Sequence, residues 1–547
     1  MRSRVSSYAL LGLLSVPAVA LGVGGLLAGS AAAAEGECDG KPVTVDLSVA
    51  GQAPTEGDDV IAVPEGVRVD ALGGNDTICG YGAGTVEIFG GMGDDLIFGS
   101  SGSDWLHGGE GDDVVHGGDG DDLIEESTGS DVLAGDAGGD IVLAGSGSDE
   151  VDGGIGDDVI SGGSEGDVLR GGDGADRIAG GSGDDSIDGG AGTDKATYAE
   201  SGSGIVATRT KVTGGLGTDA LAGIEELMGT DYADRFTGDS GNSSIDGRAG
   251  NDWFAPGAGT DLITGGSGVD TVSYANMTSG VRIYLGQPAY YGAAAGRETI
   301  EDVENLTGSP YADSLIGDLS GNVILGGGGN DYVNGLNGND RLDGGSGNDT
   351  FWPGKDNDTV IGGAGTDTIS YKGYYRPIQI SLATTRAQNT GSSGYETVSQ
   401  TENIIGTSYS DRLTGNSGRN TITAGYGNDT VLPGHGDDVV SGGSGADTVS
   451  YRNVGVGVRV SLAATSRQRT NAGYDKITYV ENVIGTTRAD VLKGNGSANK
   501  LFGDAGGDKL YGSGGADKLY GGGGSDYGDG GTGRDSSYSV ERRVRIP

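Results

Sequence analysis

The sequence predicts an all-β solenoid, in which very short strands and glycine-rich turns alternate around a thin core. Three observations carry this. Gly accounts for 116 of the 547 residues, about three times the usual share, while only 11 Pro and no three-residue Gly period exclude a collagen helix. Residues 90–197 divide into twelve consecutive blocks of nine without insertion or deletion. In all twelve blocks the sixth position is Asp and the eighth is apolar. Two fixed positions over so many copies also exclude disorder, which has no use for a periodic apolar residue.

In chain order, residues 1–34 read as an export signal. Arg2 and Arg4 form a basic start, an apolar stretch spans residues 8–27, and Ala31, Ala32, Ala33 and Ala34 offer a small-residue cleavage site. An uncleaved anchor is the alternative; Pro17 and the internal glycines favour cleavage. Losing the two arginines would take the net charge from −45 to −47. Residues 35–89 are expected to form an N-terminal cap with degenerate repeats. Cys38 and Cys79 are the only cysteines, and in an exported chain an even count predicts one disulfide pinning this cap to the first repeats.

Residues 90–197 form the uninterrupted array. Its best copies read GGEGDDVVH (108–116), GGDGDDLIE (117–125) and GGSGDDSID (180–188), giving the consensus G-G-x-G-x-D-x-U-x, where U is apolar. The first six residues suit a turn, because Gly reaches positive φ cheaply and lets carbonyls point inward. The last four make a short strand with one inward residue. Two blocks then make an eighteen-residue coil, and successive coils stack at about 4.8 Å. The sixth-position residues are Asp95, Asp104, Asp113, Asp122, Asp131, Asp140, Asp149, Asp158, Asp167, Asp176, Asp185 and Asp194. In this arrangement Asp95 lies under Asp113 and Asp104 under Asp122. Unit charges about 5 Å apart repel by about 3 kcal/mol at an effective dielectric of 20, so a bare ladder calls for a cation. Carboxylates with backbone carbonyls match calcium, which takes six to eight oxygens; magnesium demands tighter octahedral geometry. Softer metals would want the His and Cys that are scarce here.

The nonapeptide resembles that of the RTX, or hemolysin-type, calcium-binding repeat proteins. The resemblance covers most of the chain after about residue 70. It implies a right-handed parallel β-roll with calcium in the turns between coils, the sixth-position Asp residues as side-chain ligands, and Gly108, Gly109, Gly111 and their equivalents as turn formers and carbonyl donors. An N-terminal signal and a short basic C-terminus make the chain resemble secreted Gram-positive members rather than those exported through a C-terminal signal. Worn blocks depart from the pattern. Glu126 and Ser127 replace both leading glycines and Glu165 displaces the fourth, so calcium is expected to be weaker or absent there.

Residues 198–493 interrupt the array. Nonapeptides return at 238–273, 317–370 and 415–450, and again at 494–538, where C-terminal repeats and a basic tail occupy residues 494–547. Further candidate ligands are Asp252, Asp261, Asp270, Asp331, Asp340, Asp349, Asp358, Asp367, Asp429, Asp438, Asp447, Asp508, Asp517 and Asp526. Between the runs lie repeated linking segments. Tyr198, Tyr274, Tyr371 and Tyr451 each follow a repeat Asp by four residues; strand-like alternations begin at Val281, Ile378 and Val458; and the pairs Glu304-Asn305, Glu402-Asn403 and Glu481-Asn482 precede the next run. These segments are expected to continue the solenoid as longer coils carrying surface loops such as 286–298 and 384–396, either as spacers or as a ligand face on which Tyr290, Tyr291 and Tyr395 stack on sugars.

No catalytic constellation emerges. His107, His116 and His435 sit inside nonapeptides and form no H-E-x-x-H pair. The string Gly162-Gly163-Ser164-Glu165-Gly166 matches G-x-S-x-G but lies in the repeat, without strand-turn-helix context. With 79 acidic against 34 basic residues, nucleic acid is repelled. The expectation is therefore a secreted, non-enzymatic protein that folds on binding multiple calcium ions and has a structural or adhesive role, with cell-surface polysaccharide or other cells as partners and no membrane span after signal cleavage. The alternatives are a polysaccharide-binding module beside an extracellular enzyme, and a toxin or hydrolase.

Overall fold

The computed structural model describes residues 37–286, 290–292, 296–391 and 393–545. The export signal expected at 1–34 lies outside the described residues. Every regular element among them is a strand, and none is a helix long and apolar enough to cross a membrane. The chain divides into two compact units. One is Met1–Ser146 with Gly153–Ile155; the other is Gly147–Asp152 with Gly156–Pro547. Each is a parallel β-solenoid.

In the first unit the array pairs with a shift of eighteen residues. Leu96, Val114 and Val132 align along one wall, and Trp105, Leu123 and Ile141 along the other. Each nonapeptide therefore supplies one strand to alternate walls. The middle residue of each triplet points inward, and Ile97, Leu106, Val115 and Ile124 are fully buried. Burying such a side chain is worth about 1.5–3 kcal/mol, and the array has one of these per nine residues. The coils begin before the regular repeat does. Val60 pairs with Thr77, Thr77 with Leu96, and Arg68 with Glu87, so the cap already winds, with coil lengths that settle to eighteen only from Glu87↔Trp105 onward. Cys38 and Cys79 are joined by a disulfide, with Cα atoms 5.8 Å apart.

The second unit starts with the same stacking, Val159 on Arg177 and Val168 on Ser186. The last three linking segments then change the pattern in the same way. One wall ends in a short antiparallel hairpin, such as Gln388–Asn389 against Tyr395–Ser399 or Gln468–Arg469 against Tyr474–Thr478. A new wall starts at Gln379–Ser381 or Arg459–Ser461, the strand-like alternations of the sequence. The expected surface loop 384–396 is thus a hairpin whose last residue, Glu396, is fully buried. Glu298, placed by sequence at the end of another loop, is 2% exposed. The repeat runs also begin nine residues earlier than expected. Ser314–Ile316, Arg412–Thr414 and Val491–Lys493 already pair as nonapeptide strands; their blocks escaped the sequence pattern because Ser or Thr stands at the second glycine position and Tyr or Arg at the fourth. Tyr274, Tyr371 and Tyr451 lie within the core, together with Ile380, Leu382, Ile404 and Leu413. Phe254 and Phe351 are fully buried, whereas Trp253 and Trp352 lie half-buried on the outer face, where Arg235 covers the Trp253 ring at 3.5 Å.

Candidate metal centre

The repeating turn is built on two kinds of glycine. At the first position the Cα must be bare: a methyl on Gly90 would lie 2.2 Å from Asp95 Oδ2 and 2.6 Å from the Gly108 carbonyl oxygen. The second and fourth positions need positive φ, +121° at Gly109 and +141° at Gly111, and each stacks on the carbonyl of its counterpart one coil earlier, Gly91 and Gly93. A Cβ at Gly109 or Gly111 would strike these carbonyls, although other blocks place Asp136, Arg248 and Leu336 at the second position with φ of +69°, +70° and +74°. Gly108, Gly109 and Gly111 thus shape the turn, and carbonyl oxygens of neighbouring coils line it.

The sixth-position Asp closes the turn. Every Asp named from the sequence is at most 4% exposed. The ladder is held by backbone: the Asp95 N–H donates to Asp113 Oδ1 at 2.7 Å, Asp122 N–H to Asp140 Oδ1 at 2.8 Å, and Asp149 N–H to Asp167 Oδ1 at 2.9 Å. In many of these residues the second oxygen has no such donor. Oδ2 of Asp95, Asp113, Asp122, Asp167, Asp176, Asp185 and Asp194 is buried without a hydrogen-bond partner, as is that of Asp252, Asp270, Asp331, Asp340, Asp349, Asp367, Asp429, Asp438, Asp447, Asp508, Asp517 and Asp526. Asp131, Asp140 and Asp158 occupy the same buried position. An unpaired buried carboxylate oxygen is costly. Burial accordingly pushes Asp95 up to about 7 and Asp122 to about 8, and repulsion from the neighbouring rungs, Asp113 and Asp76 or Asp104 and Asp140, adds to the rise.

Among the described residues no three His, Cys, Asp or Glu side chains converge as a metal cluster. A cation would therefore be held by the Asp Oδ2 atoms together with backbone carbonyls such as that of Gly108. This all-oxygen set fits a hard ion of calcium's kind and offers nothing to a thiophilic one. A bound ion would supply the positive charge that the buried oxygens lack.

Three features went unseen in the sequence. The ladder extends beyond the array to Asp76, whose Oδ1 accepts from the Asp59 N–H, and to Asp535, which accepts from Asp517 N–H; Oδ2 is bare in both. Asp535 stands in a block with all its turn glycines, GGTGRDSSY, so its signal was present, whereas in the block of Asp76 the two leading glycines are replaced by Ala71 and Leu72. Acids from the linking segments also take rungs. Asp219 accepts from Asp185 N–H, Asp475 from Asp438 N–H, and Glu304, Glu402 and Glu481 from the amides of Asp270, Asp367 and Asp447. Third, Glu126 reaches the turn of the coil before. Its carboxylate accepts from the Gly108 and Gly109 amides at 2.8 and 2.9 Å, beside Asp113 Oδ2. Glu165 takes φ +77° in its glycine's place.

Asp104 differs from the others. The N–H of Ser100 donates to its Oδ2 and the Ser100 hydroxyl to its Oδ1, so neither oxygen is bare. The histidines serve the outer rows: His107 packs edge-on against Phe89 and His116 stacks on Phe98.

The family model for the RTX calcium-binding nonapeptide repeat matches residues 89–124, 127–160, 161–196, 228–263, 257–275, 307–342, 334–369, 405–434, 434–449, 478–510 and 502–536. No curated protein matches the chain. The matched segments make up more than half of the sequence, and the chain belongs to the RTX calcium-binding repeat family.

Proposed function

We propose that this member of the RTX repeat family is an exported, non-enzymatic scaffold whose array coils lock when calcium enters their turns. The observation that carries the reading is the recurrent bare Asp Oδ2, buried beside a first-position glycine with no Cβ. Without a cation the rungs repel and their desolvation goes uncompensated. With it, metal-binding free energy becomes folding free energy. An acidic chain would then stay open where calcium is scarce and stack after export into millimolar calcium, where a rigid solenoid suits a structural or adhesive role. The test is a calcium titration followed by far-ultraviolet circular dichroism, with magnesium as control. Strand signal should rise between micromolar and millimolar calcium and vanish on chelation. A spectrum indifferent to calcium would remove the reading.

A polysaccharide-binding face is the second reading. It is favoured by the equivalent hairpin tyrosines Tyr395 and Tyr474, 54% and 53% exposed, since exposed aromatic faces stack on sugars. Retention on a glycan array, lost on changing both residues to alanine, would support it.

A further inference from the structure

Not every nonapeptide in this chain presents a bare carboxylate. In the coils that follow the linking segments, the second position is Thr or Ser in place of Gly. The Thr407 N–H donates to Asp411 Oδ2 at 2.6 Å and its hydroxyl to Oδ1 at 2.9 Å, while the Ile378 N–H reaches Oδ1 from the coil before. Thr486 and Val458 close Asp490 in the same way, and Ser309 and Val281 close Asp313. The backbone explains the switch. Second-position glycines of the array have positive φ, +112° at Gly91 and +121° at Gly109, whereas none of these Ser and Thr residues does. Leaving the left-handed region turns the amide N–H onto the carboxylate, where the glycine coils leave an oxygen without a donor.

On the opposite side of the same coil the sixth position carries no charge. Nine residues on, the sixth position is Asn322, Asn420 or Asn499, whose side-chain amide donates to the carbonyl of Glu304, Glu402 or Glu481 at 2.9, 2.7 and 2.8 Å. The coils 308–325, 406–423 and 485–502 thus satisfy both of their turns internally. They are also backed by more apolar burial than an array coil, including Tyr371, Ile378, Ile380 and Leu413 around 406–423.

We propose that these three coils are calcium-free clamps, folded without cation, which divide the calcium sites of the second unit into separate runs. Ser or Thr at the second position is the determinant that closes the turn. The proposal rests on the calcium reading above. It departs from what the family match alone implies, since the matched segments include all three coils. A cation at Oδ2 there would have to displace the second-position N–H, whose dipole points at it.

The test is hydrogen exchange with mass spectrometry on the full-length chain, in chelator and then in calcium. In chelator, amides of Arg412–Thr414 and Val491–Lys493 should exchange about ten-fold or more slowly than those of Leu96–Phe98 and Leu123–Glu125, and calcium should slow only the latter. Thr407→Val and Thr486→Val should abolish the slow exchange in chelator, and Thr→Ser at both should keep it. Thr486→Gly should gain one bound calcium by native mass spectrometry. If clamp and array coils are equally fast in chelator and slow together with calcium, the clamps fall and the calcium reading stands. If calcium changes exchange nowhere, both fall. Valine variants that exchange like the parent chain overturn the role of the hydroxyl.

Discussion

The coils of residues 90–125 and those of 371–423 share one backbone plan and settle the same problem by different chemistry. Both stack strands in parallel and bury a sixth-position acid. The array offers one apolar residue per nine and leaves carboxylate oxygens bare. The linking coils bring buried tyrosines, isoleucines and leucines and spend hydroxyls and amides on their acids. Removing a charge penalty with a cation makes stability depend on the surroundings; removing it with a hydroxyl makes stability intrinsic. If the clamps proposed above hold, the number of repeats in such a chain overstates the number of its calcium sites.

Calcium removal should separate the two regions most. In chelator, limited proteolysis with mass mapping should cut first within residues 90–125 and spare 398–414; cuts spread evenly over both would break the comparison. A pH series in chelator should come next in size. Asp95 and Asp122 bind their protons more tightly folded, at about 7 and 8, than the unfolded chain does near 4. Their contribution is therefore fully present below about pH 4 and is lost as pH rises through about 7 to 8. The cation-free array should melt higher at pH 5 than at pH 8. Asp411 is raised too, but its hydrogen bonds to Ile378 and Thr407 oppose the rise, so exchange at Arg412–Thr414 should respond less to pH.

Glycine substitutions sharpen the contrast between shaped and open turns. Gly109→Ala sets a methyl 2.2 Å from the Gly91 carbonyl oxygen at φ +121° and should cost about 3 kcal/mol or more, read as a right shift of the calcium midpoint. Gly373→Ala, at φ +96° with open space around it, should cost only about 1 kcal/mol from backbone strain. On the linking side, the Tyr451 hydroxyl and the Thr470 hydroxyl each reach Asp475 Oδ2 at 2.8 Å. Tyr451→Phe should destabilise by about 1–3 kcal/mol in chelator and calcium alike, measured by thermal melting. The smallest effect should come from the surface. Arg170 and Glu150 pair at 2.8 Å with both side chains at least 40% exposed, and Arg170→Ala should shift stability by less than about 0.5 kcal/mol.

Much of this molecule follows from the nine-residue pattern alone. The period, the inward eighth position, the buried Asp at the sixth and the glycines that shape the turn are local properties, because each coil repeats the last and pairs only with its neighbours. That regularity made the solenoid, the eighteen-residue register and most of the candidate ligands legible without coordinates. The three-dimensional stacking decided what the pattern could not state. Glu298 and Glu396 looked like loop residues because their rungs lie 37 and 38 positions from Leu262-side and Thr359-side partners rather than eighteen, and only strand pairing across the insertions, Leu262 on Thr299 and Thr359 on Thr397, brings them inside. Glu126 looked like damage until its carboxylate reached the amides of the coil before. Thr407 and Gly91 occupy the same place in the repeat, yet Thr407 donates to the acid of its own block and Gly91 leaves Asp95 Oδ2 bare. The difference lies in a single φ angle and in which atoms the next coil sets against it, and these exist only once the coils are stacked.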